Sequence, residues 1–177
     1  MKPKLSLKAI TRIAILSALS VALSYVRIYQ LPQGGNVSLS MVPILLAYVY
    51  LDKTSAILTA IISGILQYIP DPYFINLLQW LIDYPLAWGA LALPVILPEK
   101  LNKTLKIIFG GIIGGIGRFA FHFLSGILFF AMFAPEDVNP AIYYAIYNLS
   151  YIIPSIAISI IILLILDKMG IGKVFRV

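Results

Sequence analysis

Long apolar stretches alternate with short polar breaks along almost the whole chain. The breaks are rich in turn-forming residues, and the clearest of them cover residues 30–36, 70–72 and 134–137. The apolar stretches lack the period-two alternation of barrel strands, and most approach the length of about 20 residues that crosses a bilayer as a helix. We therefore predict an all-α integral membrane protein with six transmembrane helices in a single domain, residues 1–177. The predicted helices cover residues 9–29, 38–51, 54–69, 74–97, 105–133 and 140–166.

The composition requires a surface that faces lipid. Of the 177 residues, 61% are hydrophobic and 11% are charged, whereas a soluble domain has about 45–50% apolar and about 25% charged residues. A chain of this length cannot bury such an excess of apolar residues in its own core. The sequence has no cysteine and one histidine, which excludes disulfides, thiolate metal sites and a zinc site built on imidazoles.

Basic residues cluster on one side of the predicted topology. The formal net charge is +6, and eleven of the thirteen basic residues fall near the two termini or in alternate loops. This asymmetry predicts that both termini are cytoplasmic, and no nucleic-acid-binding motif accompanies the charge. A cleaved signal peptide ending near residue 24 is the alternative interpretation of the first segment, and it would leave five spans. The predicted cytoplasmic set is Lys2, Lys4, Lys8, Arg12, Lys53, Lys100, Lys103, Lys106, Lys168, Lys173 and Arg176.

Three ionisable side chains lie inside predicted helices, where a charge is expensive and therefore suggests a function. They are Asp83 in the fourth helix and Arg118 and His122 in the fifth. From the helical rise, Asp83 lies about 13 Å, His122 about 16 Å and Asn148 of the sixth helix about 12 Å from the outer helix ends. These three groups share one layer in the outer half of the membrane, which predicts a convergent site open to the outside.

Aromatic residues crowd the same layer on all three helices. A carboxylate among aromatic faces, with no lysine at that depth, suits a flat cation. The rings near Asp83, His122 and Asn148 are Trp80, Tyr84, Trp88, Phe119, Phe121, Phe123, Phe129, Phe130, Tyr143, Tyr144, Tyr147 and Tyr151.

Less specific interpretations remain open for each of these residues. Tyrosine and tryptophan near helix ends also serve as interface anchors. Asp83 could form a structural ion pair with Arg118, and His122 could be a satisfied core histidine. Nucleophilic catalysis would need His122 as the base and a serine within reach, and Ser125 is the candidate on the same helix.

Small residues mark two further helix faces. Ala14, Ala18 and Ala22 recur every four residues in the first helix, which allows close approach of a partner helix or of another helix of the same chain. Five glycines between residues 110 and 117 likewise allow tight contacts. No Gly-Lys-Ser/Thr follows them and no strand precedes them, so they do not form a phosphate-binding loop. We therefore expect the chain to hydrolyse no nucleotide by itself.

Four stretches carry the most specific motifs, and together they extend over nearly the whole chain. They are residues 34–44 (GGNVSLSMVPI), 83–87 (DYPLA), 118–126 (RFAFHFLSG) and the tyrosine-rich region 134–151. In these motifs the sequence resembles the thiamine-specific S-components of energy-coupling factor (ECF) vitamin transporters. The resemblance implies a six-helix fold with a thiamine pocket near the outer face, capped by the loop between the first two helices.

The resemblance also implies roles for individual residues. Asp83 would face the thiazolium, Tyr84 would line the site, and His122, Tyr143 and Asn148 would contact the aminopyrimidine. The full predicted substrate-binding set is Asp83, Tyr84, His122, Tyr143, Asn148, Phe130, Trp80 and Tyr147. In three respects the sequence departs from some relatives, which have glutamate in place of Asp83, tryptophan in place of Phe130 and a tryptophan in the cap loop, residues 30–36.

Partners and location follow from the same resemblance. It implies a high-affinity thiamine-binding subunit of an ECF-type ATP-dependent importer in the plasma membrane of a prokaryote, with no enzymatic activity and no cofactor. A transmembrane coupling subunit would dock on Ala14, Ala18 and Ala22, and two ATPase subunits would use the ATP. The alternatives are an S-component for riboflavin, biotin or a thiamine precursor, a solitary vitamin transporter, and a membrane-embedded hydrolase.

Overall fold

The computed structural model describes residues 5–175, and these form a bundle of helices with one small β-hairpin. Lys2, Lys4 and Arg176, which belong to the predicted cytoplasmic charge cluster, lie outside the described residues. The α-helices are α1 Leu7–Ser24, α2 Met41–Tyr50, α3 Lys53–Leu66, α4 Leu77–Leu81, α5 Ala87–Gly89, α6 Lys103–Phe129, α7 Pro140–Lys168 and α8 Gly172–Phe175. The strands are β1 Arg27–Gln30 and β2 Asn36–Ser38, and short 3₁₀ turns cover Pro32–Gly34 and Ala131–Phe133.

The first predicted helix is too long at its carboxyl end. Helix α1 stops at Ser24, and the chain then forms the antiparallel hairpin β1–β2, in which Tyr29 pairs with Val37. Hydropathy extends the helix wrongly because Val26 and Ile28 continue the apolar stretch, although both are exposed, Val26 just before the hairpin and Ile28 within it. We call residues 27–38 the lid hairpin.

Only α1, α6 and α7 among the described helices are long and apolar enough to cross a membrane by themselves. Helix α2 has ten residues, which corresponds to about 15 Å, or half the thickness of about 30 Å of a bilayer core. Residues Met41 to Tyr48 are all buried, so α2 is surrounded by protein rather than lipid. The count of six spans therefore stays a prediction.

The fourth predicted helix is not one regular helix. It begins at Leu77 as α4, changes to a π-helical turn over Ile82–Leu86, continues through α5, and ends as a 3₁₀ helix over Ala90–Ile96. Pro85 and Pro94 lie inside it, and each lacks the N–H that a regular α-helix would use. The π-turn contains Asp83, so the irregular backbone sets the position of this carboxylate.

Helices α6 and α7 pack closely at the end of the bundle that holds Lys103 and Lys168, which we call the closed end. A Cβ atom on Gly111 would lie 2.5 Å from a side-chain atom of Ile160, so a larger residue there would displace that side chain. Both described chain ends lie at the closed end, because Arg12 Nη2 donates a hydrogen bond to the Val174 carbonyl (3.4 Å). We call the opposite end of the bundle, which carries the lid hairpin, the cavity end.

Helix α1 packs against α2 and α3 through serines. Ser17 and Ser20 are buried, and Ser20 Oγ donates to the Ser40 carbonyl at 2.8 Å. The opposite face of α1 holds the three predicted docking alanines, and all three are exposed. The alternative that these alanines pack within the chain is therefore wrong for Ala14, Ala18 and Ala22.

Candidate functional site

A cavity of about 550 Å³ opens at the cavity end of the bundle, within the range of about 300–1,000 Å³ usual for small-molecule sites. The lid hairpin, the loop after α3, the broken fourth segment and helices α6 and α7 enclose it. Its lining residues are Gln33, Gly34, Gly35, Asn36, Gln67, Asp71, Pro72, Tyr73, Gln79, Asp83, Tyr84, Trp88, Arg118, His122, Gly126, Phe130, Phe133, Tyr144, Tyr147, Asn148 and Tyr151.

Arg118 and Trp88 form the floor of the cavity. Arg118 lies eight residues before Gly126 on α6, or about 12 Å nearer to the closed end. Its guanidinium carbon is 3.9 Å from the centre of the Trp88 ring, a cation–π contact. The side chain is buried, and its Nε donates to His122 Nε2 at 3.2 Å.

This hydrogen bond fixes the state of His122. Because arginine Nε always carries its hydrogen, His122 Nε2 must accept and the other ring nitrogen, Nδ1, carries the hydrogen of the neutral ring. Nδ1 therefore donates to Asp83 Oδ1, at 3.3 Å. Both ring nitrogens of His122 are used within the protein.

Asp83 is held by three donors and no cation. Its second oxygen, Oδ2, accepts hydrogen bonds from Gln79 Nε2 at 2.8 Å and from Ser125 Oγ at 2.7 Å. No lysine or arginine in residues 5–175 forms an ion pair with it. The proposed structural pair between Asp83 and Arg118 is therefore wrong, since the neutral imidazole of His122 separates the two charges.

Asn148 forms the wall on α7 at the same level. Its Nδ2 donates to the Tyr144 carbonyl at 2.8 Å, and its Oδ1 accepts from the Tyr151 hydroxyl at 2.7 Å. An amide has two N–H hydrogens and two lone pairs on oxygen. One hydrogen and one lone pair of Asn148 are therefore left for a ligand.

The lid hairpin lies at the mouth of the cavity and is held there by two tyrosines of α7. The Tyr147 hydroxyl accepts from the Gly35 N–H at 2.9 Å and donates to the Pro32 carbonyl, while Gln33 Nε2 donates to the Tyr143 hydroxyl at 3.3 Å. Gly35 is required at this contact, since a Cβ atom there would lie 2.8 Å from the Tyr147 hydroxyl oxygen.

The other edge of the lid hairpin is held by Asp71, in the loop after α3. Arg27 Nη2 lies 2.9 Å from Asp71 Oδ1, and Asn36 Nδ2 donates to Asp71 Oδ2 at 3.4 Å. Burial raises the pKa of Asp71, and the nearby guanidinium of Arg27 opposes this shift. Tyr84 supports the same loop, because its hydroxyl donates to the Asp71 carbonyl.

The structure places six of the eight predicted substrate-binding residues on the cavity wall. Two lie outside it: Tyr143 contacts the lid hairpin, and Trp80 packs beside Tyr84 with ring centres 6.4 Å apart. The six on the wall are Asp83, Tyr84, His122, Phe130, Tyr147 and Asn148. Their contact with a ligand stays a prediction.

The prediction missed the residues that support Asp83. Gln79 precedes Asp83 by four residues, and Ser125 follows His122 by three on the same helix. Side chains at these spacings share one helix face, so the pattern contained a signal for both. No comparable signal existed for Asp71 or Tyr73, which reach the cavity from a loop.

Comparisons with known proteins identify the family. The family model described as thiamine transporter protein (Thia_YuaJ) matches residues 10–174. The thiamine transporter ThiT of Bacillus subtilis (strain 168) is 30% identical over 167 residues, which cover 87% of each chain. The chain belongs to the thiamine transporter protein family.

A further relative and a solved structure are also similar to this chain. The thiamine transporter ThiT of Lacticaseibacillus paracasei is 24% identical over 156 residues, which cover 80% of this chain and 78% of that protein. A solved structure of ThiT from Listeria monocytogenes superposes with a TM-score of 0.83 at 23% identity, over 96% of this chain and 97% of that one. The superposition shows that the two chains share a fold.

Membership of this family makes the chain a membrane transporter rather than an enzyme. The geometry also argues against the hydrolase alternative, because a serine nucleophile needs a base to accept its proton. Ser125 Oγ donates to Asp83 and not to His122, whose ring nitrogens are bonded to Arg118 and Asp83.

Proposed function

We propose that this chain is the high-affinity thiamine-binding S-component of an ECF-type ATP-dependent importer. In this proposal it crosses the plasma membrane of a prokaryotic cell six times, with the closed end and both termini in the cytoplasm. The observation that carries the proposal is the Asp83 carboxylate, which lies in an aromatic cavity without a cationic partner and under a hydrogen-bonded lid.

Thiamine fits this site chemically because it joins a flat thiazolium cation to a neutral aminopyrimidine. A buried carboxylate is stabilised by a counter-charge, and the thiazolium supplies one at Asp83. Aromatic faces such as Phe130 and Tyr147 add cation–π contacts of about 0.5–2 kcal/mol each. A neutral vitamin would leave the Asp83 carboxylate without a cation in direct contact.

The geometry changes the proposed role of His122. Both of its ring nitrogens are bonded within the protein, so His122 offers the ligand a ring face rather than a hydrogen bond. Asn148 keeps one donor and one acceptor position for the aminopyrimidine. Tyr143 acts on the ligand through the lid, because its hydroxyl accepts from Gln33.

Binding measurements on purified protein test the assignment of Asp83. Asp83→Asn removes the charge but keeps the size of the side chain, and we expect thiamine affinity to fall at least about tenfold, as for the loss of a charged hydrogen-bond partner. Glu136→Gln removes one negative charge from an exposed loop and serves as the control. Equal thiamine affinity in the wild type and Asp83→Asn would contradict the role of this carboxylate. Riboflavin, biotin and the separate halves of thiamine, tested as competitors, separate the alternative substrates.

Coupling to partner subunits is proposed from α1. Ala14, Ala18 and Ala22 are exposed, and a face of small residues allows a partner helix to approach closely. The chain has no phosphate-binding loop, so ATP must be hydrolysed by partners, here a transmembrane coupling subunit and two ATPases.

Ala18→Trp tests the docking face. We expect it to leave thiamine binding unchanged and to abolish thiamine uptake in cells that contain the coupling module, because the indole blocks close helix contact. Ile153→Trp, on an exposed position of α7, is the control. Full uptake by Ala18→Trp would reject the docking face, and uptake by the wild type in cells without the coupling module would favour a solitary transporter.

A further inference from the structure

The guanidinium of Arg118 is a buried cation with unused donors. The side chain is 6% exposed, and its one hydrogen bond within residues 5–175 runs from Nε to His122. Arginine has five N–H donors, so the four on Nη1 and Nη2 have no partner in the described part of the chain. No carboxylate among these residues forms an ion pair with it.

The two Nη atoms that carry these four N–H donors are not fully enclosed by protein. The described side-chain atoms that are both fully enclosed and without a partner belong to Tyr48, Ser63 and Ser159, and none belongs to Arg118. The Nη atoms are therefore accessible, and the cavity is the space that Arg118 lines. Contact with the Trp88 face at 3.9 Å restricts the rotation of the guanidinium plane, which fixes where its edge points.

The two charges of the cavity lie at different depths. Asp83 is hydrogen-bonded to His122 Nδ1 on the side of the mouth. Arg118 is hydrogen-bonded to His122 Nε2 at the floor. A cationic ligand is attracted to the Asp83 level and repelled from the floor. An uncharged hydrogen-bond acceptor of the ligand binds favourably at the floor, because charged donors such as guanidinium form hydrogen bonds roughly twice as strong as those of neutral donors.

On the basis of the proposed function, we infer that Arg118 is a ligand-binding residue that orients thiamine by donating to an uncharged acceptor of the ligand at the cavity floor. The acceptor is either a pyrimidine ring nitrogen or the hydroxyethyl oxygen. In both cases the thiazolium is kept at the level of Asp83. Arg118 thereby selects flat cations that carry an acceptor at the far end over cations that lack one.

The test combines variants of Arg118 with analogues of thiamine, using dissociation constants measured on purified protein. Arg118→Met keeps the length and apolar stem but has no donors, and Arg118→Lys keeps the charge and some donors. The analogues are thiamine with ethyl in place of hydroxyethyl, and thiamine with a pyridine in place of the pyrimidine. Arg12→Met, at the closed end, is the control.

We expect Arg118→Met to weaken thiamine binding roughly tenfold to a hundredfold, as for the loss of a charged hydrogen bond, and Arg118→Lys to weaken it only a few-fold. The analogue that lacks the contacted acceptor should bind equally to the wild type and to Arg118→Met. That analogue then distinguishes the pyrimidine nitrogen from the hydroxyethyl oxygen.

Two results would overturn the inference. Unchanged thiamine binding in Arg118→Met is one, and an equal loss for thiamine and every analogue is the other, since the latter means that Arg118 only supports Trp88 and His122. If Arg118→Met does not fold, the wild type alone decides, because equal affinity for thiamine and all analogues excludes the contact. A wild-type protein that binds no thiamine would instead refute the proposed function.

Discussion

The two ends of the same helix pair, α6 and α7, differ in the side chains that α7 contributes. At the closed end, Gly111 and Gly115 of α6 receive Ile160 and Ile156 of α7, and a Cβ atom on Gly115 would overlap the side chain of Ile156. At the cavity end, Tyr144 also packs closely on Gly126 of α6, where a Cβ atom would lie 2.5 Å from its ring, but the large rings of Tyr144, Tyr147 and Tyr151 there line the cavity. The difference shows that the closed end fixes the helices so that the cavity end can keep a hollow lined with polar groups.

A close contact between α3 and the π-turn at the cavity end sets the position of the site. Gly64 of α3 lies against the π-turn, and a Cβ atom there would be 2.6 Å from the Tyr84 carbonyl oxygen and 3.0 Å from the Pro85 Cα. These are backbone atoms, which cannot move aside as a flexible side chain can. The position of Asp83 therefore depends on a glycine in a neighbouring helix.

Gly64→Ala should have the largest effect, because the added methyl group meets the backbone that carries Asp83. Overpacking of this kind costs about 1–3 kcal/mol of stability, and the displaced π-turn would separate Asp83 from Gln79 and Ser125. We expect a lower unfolding temperature and weaker thiamine binding, measured by thermal unfolding and titration.

Gly89→Ala is the matched control, since a Cβ atom at Gly89 would lie 3.4 Å from Ile61. This contact is close to ordinary packing distance, and alanine favours a helix over glycine by about 1 kcal/mol. We therefore expect Gly89→Ala to keep both stability and thiamine affinity. Equal behaviour of the two variants would mean that the distance between α3 and the π-turn does not matter.

Tyr147→Phe should have an intermediate effect, confined to the lid. The variant keeps the aromatic ring but loses the hydrogen bonds to Gly35 and Pro32, each worth about 0.5–1.5 kcal/mol. We expect faster dissociation of thiamine, by a factor of about 5 or more because the two bonds together contribute about 1–3 kcal/mol, with little change in unfolding temperature. Stopped-flow measurement of release checks this, with Tyr25→Phe, at an exposed position, as the control. An unchanged release rate would show that the tyrosine contact does not hold the lid.

The sequence predicted the features that depend on composition and period, but not those that depend on exact contacts. The long apolar stretches indicated α6 and α7, and helical depth brought Asp83, His122 and Asn148 to one level. The lid hairpin was missed because apolar residues continue from α1 into β1, and hydropathy does not distinguish exposure on a strand from burial in a helix.

The partners of the charged side chains could not be predicted from the sequence either. Opposite charges at similar depth suggested that Asp83 pairs with Arg118, yet Arg118 stacks on Trp88 and reaches Asp83 only through His122. That arrangement depends on the rotation of α6 about its axis and on the π-turn at residues 82–86. Neither can be predicted from hydrophobic periodicity, which shows the buried side of a helix but not its exact rotation about the helix axis.

Asp71→Asn should have the smallest effect and separates the rim of the cavity from its interior. Asp71 and Arg27 are 31% and 21% exposed, and ion pairs near the surface contribute about 0–1 kcal/mol. Burial raises the pKa of Asp71 above its ordinary value, with Arg27 in opposition. A raised carboxyl pKa means that the folded state binds the proton more readily than the unfolded state, so ionised Asp71 reduces stability at neutral pH and this cost disappears as the pH falls through the folded pKa.

We therefore expect Asp71→Asn to leave the unfolding temperature at pH 7 unchanged or slightly higher, by an amount equivalent to less than about 1 kcal/mol. The difference from the wild type should narrow as the pH is lowered toward about 4, near the ordinary carboxyl pKa, because Asp71 becomes neutral like asparagine. Asp137→Asn, with the same charge change in an exposed loop, controls for the overall charge. A large loss of stability at pH 7 in Asp71→Asn would show that the pair with Arg27 outweighs the cost of burial, and the rim would then hold the lid as firmly as the tyrosines do.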